Sequence, residues 1–523
     1  MPPSPVSCPS FCLRWLLLPL LLTGCCLNAT ESAPEASENV VTYEQFGAVG
    51  DGITDDLPAI VAAHAHANEL GLPVRSHPRA TYHLGGQALT AIIQTSTDWN
   101  TSRFIIDDSQ APEDHLQELF IVQSSLAPVP LPIESLTDGQ DRLDVRPETD
   151  LFVYVENENL RRFIRRGANV NTGTTQREAF ILRQDGTIDG AIQWDYEEIT
   201  TVEARPIDPE PLTLRGGFFI HIPNQTDKAE GSRYWARNIL VSRSNTIVDG
   251  ITREVAGHTD IGLPYRGFLS VSKAADITVQ NCRVEPHKVY WMRSDAGVLV
   301  PMGTYGYNFN SVVNLTIRGC VMTDIHNHDL WGVVGANFLK NVLVEDSVLS
   351  RMDVHMGVSG YYIIRNSTMG HMGINAIGRG KLLVENTTVH SQHLIDFRRD
   401  YGATWDGDVV VRNSRWVPSE SFDKLPISMF GVQNDGTHEF GYPCSMPTTI
   451  RVEGLTIDDE PIRAAGFDIV LFDDATGAVD ADLPHPYRPP QSVEFTDLTT
   501  TSGLPVRVSN NPMVEAAIEV TGL

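Results

Sequence analysis

Five eight-residue stretches decide the reading of this chain: LTIRGCVM at 315–322, VLVEDSVL at 342–349, YIIRNSTM at 362–369, LLVENTTV at 382–389 and VVVRNSRW at 409–416. Each alternates apolar with other residues, then sets a polar and a small residue before a final apolar one. The small residues Cys320, Ser347, Ser367, Thr387 and Ser414 follow at intervals of 27, 20, 20 and 27. Alternation gives strands, and Asn or Asp before a small residue gives a turn able to enter the left-handed region. The interval is too short for a helix-containing unit, so the repeats stack as a solenoid of strands, each coil burying its face on its neighbours. The fold predicted is all-β, a parallel β-helix. Looser copies reach Gly250 and Cys282 upstream and Leu455 downstream. A β-sandwich, the competing architecture, would show Asn-Gly or Asp-Gly hairpin turns at regular intervals.

A solenoid lengthens by adding coils, so 523 residues fit one elongated domain. The net charge of −27 excludes a general nucleic-acid binder, which needs a basic stripe. At the N-terminus Arg14 precedes the apolar run Trp15–Leu22, too short to span a bilayer and followed by small residues. Residues 1–26 are read as an export signal. Leu22-Thr23-Gly24-Cys25 resembles the bacterial lipoprotein box, which implies lipidation of Cys25; simple cleavage nearer Ala29 is the alternative. The chain is expected at a bacterial cell surface or in the periplasm as a lipoprotein, or secreted, touching membrane only through that lipid. Residues 27–39, rich in Ser, Glu, Ala and Pro, suit a tether. Cys282 and Cys320 share a repeat position and are expected as stacked buried thiols.

The helix of 40–460 is expected to carry a β-rich insertion at about 125–225, with a hairpin turn at Asp185-Gly186, and a C-terminal coil and cap over 461–523. The basic run Leu160–Arg166 is read as a solvated edge. From Thr54 to Asp56 lies an N-cap signal ahead of the helical pattern Leu57–Leu70, a natural plug for an open solenoid end. This stretch, Tyr43-Glu-Gln-Phe-Gly-Ala-Val-Gly-Asp-Gly-Ile-Thr-Asp-Asp56 and its helix, resembles the N-terminal cap of the pectin/pectate-lyase-like superfamily. The resemblance implies a right-handed helix and activity on polysaccharides.

Counting back from each small residue places Thr304, Trp331, Arg351, His371 and Arg398 sixteen before it. Gly306, Val333, Asp353, Gly373 and Asp400 lie fourteen before, and Asn308, Gly335, His355, Asn375 and Gly402 twelve before. Even spacing keeps these on one side of a strand, and the intervening residues are mostly apolar, so this set should form an outward wall. It holds two His, two Arg, two Asp and a Trp with no Lys or Glu, unlike an ordinary solvated face. Asp329-Leu-Trp-Gly332, Asp353-Val-His-Met-Gly357, Gly370–Gly378 and Asp400-Tyr-Gly402 are similar to bacterial β-helix lyases of uronic-acid glycans such as chondroitin or hyaluronan.

That resemblance implies β-elimination on an acidic polysaccharide. A histidine, His355 or His371, takes the proton at C5; Arg398 or Arg351 neutralises the carboxylate; Tyr401 or the other histidine donates to the leaving oxygen. Trp331, Arg351, Asp353, Asn375, Asp400, Asp329 and Asn308 are the expected substrate contacts. An inverting hydrolase using Asp353 with Asp400, or Asp329 with Asp396, is the alternative. A C5 epimerase and a non-catalytic glycan-binding solenoid are the others. The paired-Asp and Gly-His-Gly motifs of polygalacturonases are absent. No cofactor is expected, a divalent cation being left open. His326-Asn-His328 lacks a third ligand in view, so no metal site is assigned. A monomer without nucleic-acid partners is expected.

Overall fold

The computed structural model describes residues 39–109, 117–226, 234–257, 261–294, 296–419 and 427–523. The expected export signal, Cys25 and nearly all of the tether lie outside the described residues.

Leu315 pairs with Val342, Val342 with Tyr362, Tyr362 with Leu382 and Leu382 with Val409, all in parallel register and all buried. Ile277 continues the column upstream, and Ile450, Val493 and Val520 continue it downstream. The protein is a right-handed parallel β-helix, most of its strands joined in one sheet of 30. The coils run on past residue 460, where sequence reading ended the regular helix. From Ile450 to Val493 is 43 residues, and loops of that length hide the period.

The small and polar repeat positions build two ladders. The N–H of Cys320 donates to Ser347 Oγ at 3.1 Å, that of Ser347 to Ser367 Oγ at 3.1 Å, and that of Thr387 to Ser414 Oγ at 3.2 Å. Each hydroxyl donates its own proton two residues back, as Ser347 does to the Glu345 carbonyl at 2.8 Å. Every turn thereby satisfies a buried donor. Just outside, Asn366 and Asn386 sit at φ 51° and 48°, and Asn386 Nδ2 donates to Asn366 Oδ1 at 3.2 Å. Cys282 and Cys320 are buried free thiols on adjacent coils.

The helix Leu57–Leu70 covers the N-terminal end, burying Leu57, Ile60, Ala63, His64 and Ala67. Asp56 does not cap it through its side chain. Its carboxylate instead accepts the N–H groups of Val49 at 2.6 Å and Gly50 at 3.2 Å.

The strands Leu151–Arg162, Thr174–Leu182, Ile188–Asp189 and Thr201–Pro206 form a separate antiparallel sheet, with Asp185-Gly186 in the turn between the second and third. By Leu212–Arg215 the chain is back in the helix, earlier than the 225 expected. A buried ion pair of 2.8 Å, Lys340 with Glu178, fastens this sheet to the coils. The basic run is no solvated edge. Arg165 reaches across to Asp400 at 2.7 Å and Arg166 to Asp435 at 3.0 Å.

Candidate functional site

Two differences of register revise the outward wall. Gly335 pairs with Asp353, not with His355, and Arg351 pairs with Gly373, not with His371. The second shift comes from two extra residues between Met369 and Gly373, where Gly370 packs directly on the carbonyl of Ile325. A slip of two keeps each side chain on the outer face but changes its neighbour on the next coil. The true column is Asn308, Gly335, Asp353, then Asn375 and Asp396. Along each coil the expected residues therefore divide between a closed charge network and an open groove.

The network centres on Asp353, which is 3% exposed. Its carboxylate accepts from Arg351 at 2.9 Å and from Arg398, and faces His355 Nε2 at 3.5 Å. Arg398 turns its other edge to Asp400, with two bonds of 3.0 Å, and Arg165 of the insertion closes on the same carboxylate. Tyr401 lies beneath, its ring centroid 5.0 Å from the Arg165 guanidinium, 5.2 Å from that of Arg398 and 5.4 Å from the His355 ring. Burial alone would raise Asp353, but Arg351, His355 and Arg398 hold it down at about 2. Asp400, whose side chain is 25% exposed, is held well below the usual range by Arg398 and Arg165 against its partial burial. Burial pushes His355 down to about 3, against the pull of Asp353, so its ring is neutral at ordinary pH. Arg398 sits at φ 59°, in the left-handed region, which starts the short turn Arg399–Tyr401 and swings its side chain back over Asp353. Asn308, two coils further up, donates to the Arg266 carbonyl at 2.8 Å.

Beside this network runs a groove of about 640 Å³. One wall is the hairpin Tyr290–Arg293 and Leu299–Met302, bearing Trp291; another is the turn carrying His328, Asp329 and Trp331. Arg351, His371 and Asn375 line it from successive coils, and His393 and Asp396 from the next. Of the residues singled out in the sequence, His371, Trp331, Arg351, Asn375 and Asp329 meet here, whereas His355, Arg398, Tyr401, Asp353 and Asp400 belong to the network. His371 Nδ1 meets the Ile325 carbonyl at 2.9 Å, which fixes its proton there, and Nε2 has no hydrogen-bond partner. Burial keeps His371 below the ordinary histidine value, with His328 and Arg351 acting in the same direction. Trp331 Nε1 is likewise buried without a partner. Arg351 is aimed by Asn375 at 2.7 Å and by Asp353, and Asn375 in turn donates to Asp396 at 2.9 Å.

Trp291, His393 and Lys288 escaped sequence reading, because all lie on hairpins and turns outside the repeat. Among the described residues no three His, Cys, Asp or Glu side chains converge as a metal site. His326 packs instead on His390 with ring centroids 4.5 Å apart, and His328 on His371 at 4.6 Å.

No family model matches the chain. It is 24% identical over 461 residues to a capsule KL64-specific depolymerase of a Klebsiella phage, an alignment covering 80% of this chain and 42% of that protein. The chain thus spans less than half the length of that relative. Among solved structures, tailspike gp61 of Pseudomonas phage phi297 superposes with a TM-score of 0.48 at 12% identity, covering 92% of this chain and 84% of that one. Tailspike gp49 of Pseudomonas phage LKA1 gives 0.45 at 14% identity, with the same coverage.

Proposed function

We propose that this chain cleaves an acidic polysaccharide by β-elimination in the groove beside Trp331. The carrying observation is His371, a neutral imidazole with its proton fixed on Nδ1 and its Nε2 unpartnered, in a groove that also holds Arg351 and Lys288. Elimination from a uronate needs a base for the C5 proton and a cation for the carboxylate. Arg351 spends two of its N–H groups on Asn375 and Asp353, which orient it and leave the rest of its five for a carboxylate. Trp291 and Trp331 offer apolar faces to sugar rings. The likeness to a protein named as a capsule depolymerase supports a glycan substrate. In the step, His371 Nε2 takes the C5 proton, the C4–O4 bond breaks and a C4=C5 double bond forms.

A second reading is hydrolysis, favoured by the presence of both Asp329 and Asp396 on the same groove. Incubation with capsular, pectic and glycosaminoglycan polysaccharides separates the two. Elimination raises ultraviolet absorbance as unsaturated ends appear. New reducing ends without that absorbance would assign hydrolysis, and binding without new ends would leave only a glycan-binding solenoid.

A further inference from the structure

Arg351 reaches the groove from a closed ring of hydrogen bonds. Its Nε donates to Asn375 Oδ1 at 2.7 Å and its Nη2 to Asp353 Oδ1 at 2.9 Å. Asn375 Nδ2 donates to Asp396 Oδ2 at 2.9 Å, and Asp396 Oδ1 accepts the Arg398 backbone N–H at 3.0 Å. Arg398 closes the ring through its side chain, which donates to the same oxygen of Asp353. Asn375, Asp353 and Arg398 are all buried. Asn375 and Asp396 are neighbours on adjacent coils, tied by the Ala376 N–H to the Asp396 carbonyl at 2.8 Å. A Cβ on Gly431 would lie 3.0 Å from Asp396 Oδ1, so glycine leaves that carboxylate its place.

The ring dictates the residue types in it. A guanidinium N–H donates and an ionised carboxylate accepts, so the residue between Arg351 and Asp396 must accept on one side and donate on the other. A carboxamide does both without adding charge. An aspartate at 375 would face Asp396 and would compete for Arg351 with any anion in the groove. Nε and Nη2 form one edge of the guanidinium, and the ring occupies that edge. It leaves to the groove, which Arg351 lines, the end formed by Nη1 and the second Nη2 hydrogen. Two parallel N–H groups match the two oxygens of a carboxylate. The Trp331 ring flanks this end, its centroid 6.0 Å from the guanidinium carbon.

We infer that Asn375 and Asp396 are positioning residues for carboxylate recognition, holding Arg351 so that its free end docks a uronate carboxylate through two parallel hydrogen bonds. The assignment rests on the cleavage reading above. It gives Asp396 a use other than hydrolysis, because each of its oxygens accepts an N–H of its own chain. Asp396 then acts through Arg351 and not on the glycosidic bond.

Binding is measured apart from cleavage in His371→Gln, which lacks the proposed base. The probes are the acidic polysaccharide that the wild type cleaves, among the capsular, pectic and glycosaminoglycan ones above, and its carboxyl-reduced form. The carboxylate is expected to tighten binding to His371→Gln about tenfold. Adding Asn375→Ala should remove most of that preference while affinity for the carboxyl-reduced form stays within about twofold, since the groove itself is intact. Adding Asp396→Asn, which keeps the size of the side chain, should do the same, because an amide there can accept from one of the two donors and not both. A preference retained in Asn375→Ala or in Asp396→Asn overturns the positioning role. Retention in Asp396→Asn with cleavage lost from that variant in the otherwise wild-type chain would make Asp396 a catalytic carboxylate instead. An equal loss of affinity for both forms overturns the positioning role too, as does a His371→Gln protein that binds the two forms alike. A wild type that cleaves no acidic glycan sinks the cleavage reading and the positioning role together.

Discussion

Arg398 and Asp353, 45 positions apart in the chain, form an ion pair whose side chains are only 6% and 5% exposed. The same guanidinium also holds Asp400. Removing one member of a buried pair strands the others, at a cost of about 3–5 kcal/mol. Arg398→Ala is therefore expected to lower the urea midpoint sharply, because Asp353 and Asp400 lose the cation between them. Unfolding at neutral pH checks this; a midpoint equal to that of the wild type would show the network to be dispensable.

Acid should unfold this protein in two stages. His355 is pushed down to about 3 in the fold, whereas an unfolded histidine titrates near about 6.5. Its neutral form thus contributes stability that is complete above about 6.5 and is lost as pH falls towards 3, with a slope of about 1.4 kcal/mol per pH unit. Asp353, held at about 2, adds a second loss once pH drops below the ordinary aspartate value of about 3.9. Urea midpoints measured from pH 7 to 3 are expected to show the first slope reduced in His355→Gln and the second retained. An unaltered first slope would locate the acid sensitivity elsewhere.

The serine ladder makes a simpler prediction. Ser347 Oγ is the acceptor for the buried N–H of Cys320. Ser347→Ala leaves that donor without a partner, for about 1–3 kcal/mol of lost stability. Thermal unfolding should detect it, with the circular dichroism of the folded state unchanged.

How far the sequence could be read follows from which residues repeat. Leu315, Val342, Tyr362, Leu382 and Val409 recur in a fixed pattern because each must bury the same face on its neighbour, so strand, register and ladder are all legible. The groove is not, since it is built where the repeat is broken. The bulge at Gly370–Met372 adds two residues with no change of parity, so counting kept His371 on the outer face but set it beside the wrong residue. Arg398 carries the residue type that carboxylate neutralisation needs, and only the turn at φ 59° shows that two aspartates already hold it. His393 and Trp291 stand on connections of irregular length, where no pattern marks a residue as facing the substrate side.

Trp291 gives the most direct test of the groove as a glycan track. It is 58% exposed on the hairpin strand Tyr290–Arg293 yet lines the groove, and a large apolar ring left in solvent at a cleft marks a binding surface more than a core. Removing it should change stability by less than about 0.5 kcal/mol, because an exposed ring supports little packing. An aromatic face in contact with a ligand contributes about 0.5–1.5 kcal/mol, so Trp291→Ala should raise KM roughly two- to tenfold. The ring holds substrate equally before and during reaction, so kcat should stay near the wild-type value. His371→Ala is expected to do the opposite, cutting kcat by about a hundredfold or more with KM little changed. Steady-state kinetics on one polysaccharide, run on both variants, decides the matter. A kcat loss in Trp291→Ala with KM unchanged would take the hairpin out of substrate binding and place it among the elements that shape the reacting groups.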